Sequence, residues 1–147
     1  MSKLLVKNRK ANFEYEILEK FEAGIVLFGH EVKSLKTGGG NLTGSYLTIK
    51  NGELWLEKMN IALYEKATLP IYEPTRSRKL LVRKKEIDQL TGALNTQGVT
   101  LIPLSCILKN NRIKIEFALA RGKKKYDKRE SIKKRDQERR IQREINR

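Results

Sequence analysis

The 147-residue chain sets 32 Lys and Arg against 17 Asp and Glu, a formal net charge of +15, with 39% apolar and 33% charged residues. One cysteine (Cys106) and one histidine (His30) exclude a disulfide framework and a Cys/His zinc cluster, and no run nears the ~18 apolar residues of a membrane span. The expectation is a small basic cytoplasmic protein without signal peptide, membrane anchor, metal or cofactor, whose charge suits phosphate.

In chain order, FEYEILEKFEAGIVLFG reads as two strands broken near Glu22, Ala23 and Gly24. Phe13, Tyr15 and Ile17 alternate with glutamates, and Ile25 to Phe28 read as a short buried run. After Gly29, HEVKSLKTGG predicts a helix of one to two turns, with Val32 and Leu35 inward and Gly38 to end it. Gly38, Gly39 and Gly40 read as a flexible loop that an RNA backbone can approach closely.

SYLTIK-NG-ELWLEK predicts a hairpin with a type I′ turn at Asn51 and Gly52. That turn pairs Ile49 with Leu54, Thr48 with Trp55 and Leu47 with Leu56. YEKATLPIYEPTRSR reads as a polar loop, and RKKEIDQLTGALNTQG as a helix with Ile87, Leu90 and Leu94 on one stripe and Gly98 as its stop. A second hairpin, VTLIPLSCILK-NN-RIKIEFALA, pairs Leu108 with Ile113, Cys106 with Ile115, Leu104 with Phe117 and Ile102 with Leu119. Pro103 has no N–H and marks an edge or a bulge. The opposite face of this hairpin carries Lys109, Arg112, Lys114 and Glu116. Together these elements predict a mainly β fold over residues 1–120, a closed oligonucleotide-binding-like barrel with two or three short helices.

Residues 121–147 form a basic tail, with 13 Lys and Arg against 5 Asp and Glu. Its only large apolar residues are Tyr126, Ile132, Ile141 and Ile145, too few to offset chain entropy. The tail is expected to be disordered or frayed alone, and helical once docked on an anionic partner.

No phosphate-binding glycine loop, dinucleotide fingerprint, zinc-protease helix or nucleophile elbow is present. His30 beside Glu31 reads as a surface or capping residue at a helix start, and Cys106 as a small core hydrophobe. The chain is therefore expected not to be an enzyme. Binding has better material in the basic clusters Arg76/Arg78/Lys79, Arg83/Lys84/Lys85 and Lys109/Arg112/Lys114. Trp55 and Tyr46 either stack on RNA or pack under a neighbouring segment.

An ordered set of short segments carries a resemblance: YEILE at 15–19, FEAGI at 21–25, GHEVKSLK at 29–36, NL at 41–42, SY at 45–46, NGE at 51–53, PTRSRKLL at 74–81, EID at 86–88, GKK at 122–124 and YDKRE at 126–130. In this the chain resembles the small protein B (SmpB) family, the tmRNA-binding proteins of bacteria. The resemblance implies a barrel that grips the tRNA-like domain of tmRNA and brings it to stalled ribosomes. It also implies a tail that occupies the small-subunit decoding site and mRNA channel in place of an anticodon arm. It assigns tmRNA contact to Glu22, Leu81 and Lys114, with Glu31, Lys33, Ser34, Lys36, Asn41, Arg76, Arg78 and Lys79 in the wider RNA-binding set. It assigns ribosome engagement to Gly122, Lys123, Lys124, Tyr126, Asp127, Lys128 and Arg129. Lys36 stands where arginine is usual in the family. A monomer without a membrane partner is expected, and the alternative reading is a ribosomal-RNA-binding barrel protein of ribosomal or initiation type.

Overall fold

Two turns set the sheet. Asn51 and Gly52 have φ of 52° and 73°, and Asn110 and Asn111 have φ of 52° and 62°. Positive φ at both central residues is what a type I′ turn requires, and Asn and Gly tolerate it best. In the computed structural model, which describes residues 2–69 and 71–123, these turns join β4 (Tyr46–Lys50) to β5 (Glu53–Glu57) and β8 (Val99–Lys109) to β9 (Arg112–Gly122). The first hairpin has the expected register, with Ile49 opposite Leu54, Thr48 opposite Trp55 and Leu47 opposite Leu56.

The second hairpin keeps the expected register from its turn as far as Ser105 and Glu116. Between Pro103 and Ser105 the ladder shifts, so that Phe117 faces Pro103 and Leu119 faces Leu101. The expected pairs of Leu104 with Phe117 and Ile102 with Leu119 are thus replaced. Pro103 cannot donate to the ladder, and Leu104 is the extra residue of a bulge that exchanges the faces of everything before it. Leu101 then joins the main core, while Ile102 and Leu104 pack with Ala11, Ala118 and Ala120 in a second, smaller cluster. Asn8 holds the bulge: its N–H donates to Leu104 O and its Nδ2 to Pro103 O, both at 2.8 Å.

The remaining elements are β1 (Ser2–Lys7), α1 (Ala11–Glu14), β2 (Tyr15–Ile25), α2 (Gly29–Lys36), β3 (Gly40–Asn41), β6 (Asn60–Ile61), β7 (Arg78–Leu81) and α3 (Lys84–Leu94). The fold is mainly β, with seven strands in the order β1-β8-β9-β2-β7-β5-β4, every pairing antiparallel, and a separate β3-β6 pair. Among the described residues this ladder is open, with β1 and β4 as its ends rather than paired to close a barrel.

Strand β2 is a single strand of 11 residues, not two. Glu22, Ala23 and Gly24 run through it, paired with Glu116, Ile115 and Lys114, and the only irregularity lies between Ile17 and Glu19. A long partner strand on one side overrides the weak local signal of glycine. The expected buried run after it is an alternation instead: Ile25 and Leu27 pack on the core while Val26 and Phe28 are exposed. Helices α2 and α3 contribute Leu35, Ile87 and Leu90 to the same buried core as Leu54, Leu56, Leu80, Ile115 and Phe117. Gly39 and Gly40 are not a loose loop. A side chain on Gly39 would collide with Ser34, and one on Gly40 would lie 2.5 Å from Leu35 and 2.7 Å from Val6. Both glycines are required by close packing.

Candidate nucleic-acid interface

Strand alternation and register place residues far apart in sequence on one outward face. Gly24 of β2 lies opposite Lys114 of β9 on one side and Leu81 of β7 on the other. Glu22 stands two residues along the same face, within 3.5 Å of both Lys114 Nζ and Lys109 Nζ. Leu81 is 56% exposed, and its side chain lies over Gly24. Glu22, Leu81 and Lys114, three of the expected site residues, thus come together on adjacent strands. Beside them is a groove of about 750 Å3 lined in part by Lys79, Leu81, Arg83 and Lys84. Lys79 lies opposite Trp55, and its ammonium is 2.7 Å from Glu53. Trp55 is half-buried and Tyr46 is exposed.

Arg83, Lys84 and Lys85 occupy the N-cap and first turn of α3. Cations at a helix N-terminus oppose its dipole and are mildly unfavourable for folding. The same placement puts three positive charges at an already positive helix end, beside a groove whose lining also holds Glu22, Glu53, Glu86 and Asp88, so cations and carboxylates are interspersed there.

A second cluster is buried. Glu31 of α2 accepts hydrogen bonds from Arg78 Nη2 at 2.6 Å, Arg78 Nε at 2.9 Å, Arg76 Nη2 at 2.5 Å and Tyr72 OH at 2.9 Å. It also accepts the Phe28 N–H at 2.8 Å, which ties the carboxylate to the start of its own helix. Arg78 donates onward to Met59 O and Pro74 O. Burial pushes the Glu31 carboxyl pKa upward, but the hydrogen bonds from Arg76, Phe28 and Arg78 outweigh it and hold the value at about 2. Tyr72 is raised, first by burial and then by its bond to the Glu31 carboxylate.

Part of the expected RNA-binding set lies beneath the surface in this cluster. The side chains of Glu31 and Arg78 are 0% exposed, and Ser34 is buried with its hydroxyl donated to Ala62 O at 2.6 Å. None of the three is at the surface, because each is committed to joining α2 to the segments around residues 62 and 72–78. Lys33 and Lys36 are exposed on α2, and Asn41 is exposed on β3, on different elements from the Glu22 group. Arg76 is half-buried, with its guanidinium on Glu31.

His30 differs from expectation as well. Its ring meets Tyr72 edge-on at 4.6 Å, and both ring nitrogens are buried without a hydrogen-bond partner. Cys106 is a buried core residue as expected, its thiol pushed up to about 12 by burial. Tyr72 was missed: a tyrosine in a proline-containing loop gives no sequence sign that it reaches a carboxylate 41 positions away.

At its far end β9 carries Gly122 as a strand residue opposite Tyr15. The Lys123 N–H donates to Glu14 O, and its ammonium donates to Asn12 O. Lys124, Tyr126, Asp127, Lys128 and Arg129 lie outside the described residues. Among the described residues no His, Cys, Asp and Glu grouping could hold a metal ion, and no helix is long and apolar enough to cross a membrane.

The family model described as SmpB protein matches residues 5–147. The chain is 50% identical over 145 residues to the SsrA-binding protein of Carboxydothermus hydrogenoformans, covering 99% of this chain and 97% of the relative. It is 52% identical over 141 residues to the SsrA-binding protein of Desulforudis audaxviator, covering 96% and 92%. Among solved structures, a chain of "tmRNA-SmpB: a journey to the center of the bacterial ribosome" superposes with a TM-score of 0.68 at 43% identity, covering 86% of this chain and 92% of that one.

Proposed function

The chain belongs to the SmpB family, and from that premise we propose that it binds tmRNA through the outward face of β9, β2 and β7 and brings it to stalled ribosomes in trans-translation. The observation that carries the reading is the juxtaposition of Glu22, Leu81 and Lys114 across three strands, beside the start of α3 with Arg83 and Lys84. The cations attract the phosphate backbone whatever its sequence, whereas Glu22 can only accept hydrogen bonds, from a base or a ribose hydroxyl. Such a carboxylate within a basic face favours one RNA shape over another. Its present partners are two half-exposed lysines, pairs worth about 0–1 kcal/mol that an RNA donor can replace at little cost.

Lys33, Lys36, Asn41 and Lys79 are the wider contact set in this reading, and Glu31, Ser34, Arg76 and Arg78 support them from beneath. The sheet is taken as oligonucleotide-binding-like in outline, which is supported by the return of β4 against β8. Residues 1–120 act as the RNA-binding unit. The tail from residue 121, with Gly122, Lys123, Lys124, Tyr126, Asp127, Lys128 and Arg129, takes the decoding site of the small subunit in place of an anticodon arm. The protein works in the cytoplasm as a monomer, and the reading assigns it no reaction and no cofactor.

The test is recovery of bound RNA from cells, followed by sequencing, with the full chain and with a chain ended after Lys123. Both should enrich tmRNA, and only the full chain should support tagging of stalled nascent chains. Ribosomal RNA alone in both would instead favour a constitutive ribosomal protein.

A further inference from the structure

Beyond the end of β2 the pairing with β7 continues for one more bond, from the Val26 N–H to Lys79 O at 3.0 Å. Alternation therefore carries on past the strand. Glu22, Gly24, Val26 and Phe28 occupy successive outward positions, while Ile25 and Leu27 pack inward. Val26 is 47% exposed and Phe28 54% exposed. With Leu81 beside Gly24, they extend an apolar strip from the Glu22 and Lys114 group to the start of α2.

A single exposed apolar side chain needs no explanation. Phe28 differs because it is braced. Arg76 Cζ lies 4.0 Å from the centroid of its ring, a close cation–π contact. The guanidinium is held there by its own bonds: Nε and Nη2 to Glu31, Nη1 to Ser77 O at 3.2 Å and Nη2 to Val26 O at 3.5 Å. Arg76 cannot reach out to a phosphate without abandoning the buried carboxylate, so it acts as a fixed plate against the phenyl ring. The backbone of Phe28 is fixed as well. Its N–H is on Glu31, and its carbonyl accepts from the Glu31 and Val32 N–H groups. His30 adds a second ring, 5.9 Å away and tilted by 31°. The result is an aromatic face on Phe28, half open to solvent and held in place before any ligand arrives.

Resting on the RNA-binding reading above, we infer that Phe28, braced by Arg76, is a stacking platform for an unpaired nucleobase of the bound RNA. A rigid aromatic on the same outward strip as the lysines at Glu22 gains stacking energy without paying much side-chain entropy. It accepts any base that is splayed out and rejects a base held inside a duplex, so it selects for the shape of the RNA.

The experiment uses the full-length chain and a transcript of the tRNA-like domain of tmRNA. Phe28→Leu keeps the apolar bulk but removes the flat face. It should weaken binding by about 5- to 150-fold, the range for losing one base–aromatic stack, with the salt dependence unchanged, folding still cooperative, and the melting midpoint lowered only slightly by loss of the cation–π contact. Phe28→Trp should bind as tightly as the wild type. In a Trp55→Phe background its fluorescence should be quenched as transcript is added. Wild-type affinity in Phe28→Leu, or an unquenched reporter in a chain that binds, would remove the platform and leave the RNA-binding reading standing. Failure of the wild-type chain itself to bind the transcript would overturn both.

Discussion

Glu22 and Glu31 are nine positions apart, and each faces two cations, yet one is open to solvent and the other is enclosed. Glu22 lies on the outward sheet face with two lysines at 3.5 Å, all three side chains between 31% and 45% exposed. Glu31 is completely enclosed, with two arginines at 2.5 and 2.6 Å and a tyrosine hydroxyl completing its bonds. The lysines are flexible, strongly hydrated point charges that can exchange one acceptor for another. The arginines present fixed forks whose donors are committed to one carboxylate and to nearby backbone carbonyls. The difference teaches that charge alone does not mark the interface. Replaceable charge can meet a ligand, whereas committed charge builds the support on which that ligand is met.

The largest effect expected from breaking this contrast is on the buried side. Glu31→Gln leaves Arg78 enclosed with no counter-charge and should destabilise the fold by about 3–5 kcal/mol, measured by denaturant unfolding at neutral pH. The same pair gives the wild type a pH signature. The folded carboxyl sits at about 2, below its ordinary value of 4.5. Its contribution is therefore fully present above pH 4.5 and is lost as the pH falls towards 2. Unfolding curves at about pH 7, 4 and 3 should show that loss in the wild type and lack this component in Glu31→Gln. Equal acid sensitivity in both would place the titration elsewhere.

On the open face the effects should be smaller and should appear in binding. Lys114→Ala should weaken tmRNA binding and lower the salt-dependence slope by roughly 0.7–0.9 for each phosphate the side chain no longer neutralises. An unchanged slope would make Lys114 solvated charge only. The smallest effect belongs to Lys79 and Glu53, a surface pair with both side chains about two-fifths exposed. Lys79→Ala should change unfolding stability by no more than about 1 kcal/mol. A larger drop would mean that the outer face is not built of replaceable pairs.

Sequence made the open face easier to read than the buried one. The dipeptides Asn51-Gly52 and Asn110-Asn111 are local signals, and a two-residue turn carries its register outward to Lys114 and Trp55. Pro103 announced a break in the ladder, but which residue would bulge depended on Asn8, 95 positions away. The course of β2 through Glu22, Ala23 and Gly24 depended in the same way on β9. The Glu31 cluster could not be read at all, because its members come from α2, the loop at Tyr72 and the start of β7. Three charged residues in polar surroundings give no sign that they will be buried together. The quoted family motifs contain Glu31, Arg76 and Arg78, but a motif names residues without saying which of them face solvent.

The central claim is that Glu22 confers preference within a face whose charge supplies general attraction. Its most direct measurement is the ratio of affinities for the tRNA-like domain of tmRNA and for an unrelated structured RNA of equal length, at one salt concentration, in the wild type and in Glu22→Ala. Removing hydrogen bonds to a charged acceptor should lower tmRNA affinity on the order of tenfold to a hundredfold. Binding to the unrelated RNA should hold or tighten, because the variant is more positive, so the ratio should collapse. An unchanged ratio in a variant that melts like the wild type would contradict the assignment of this face.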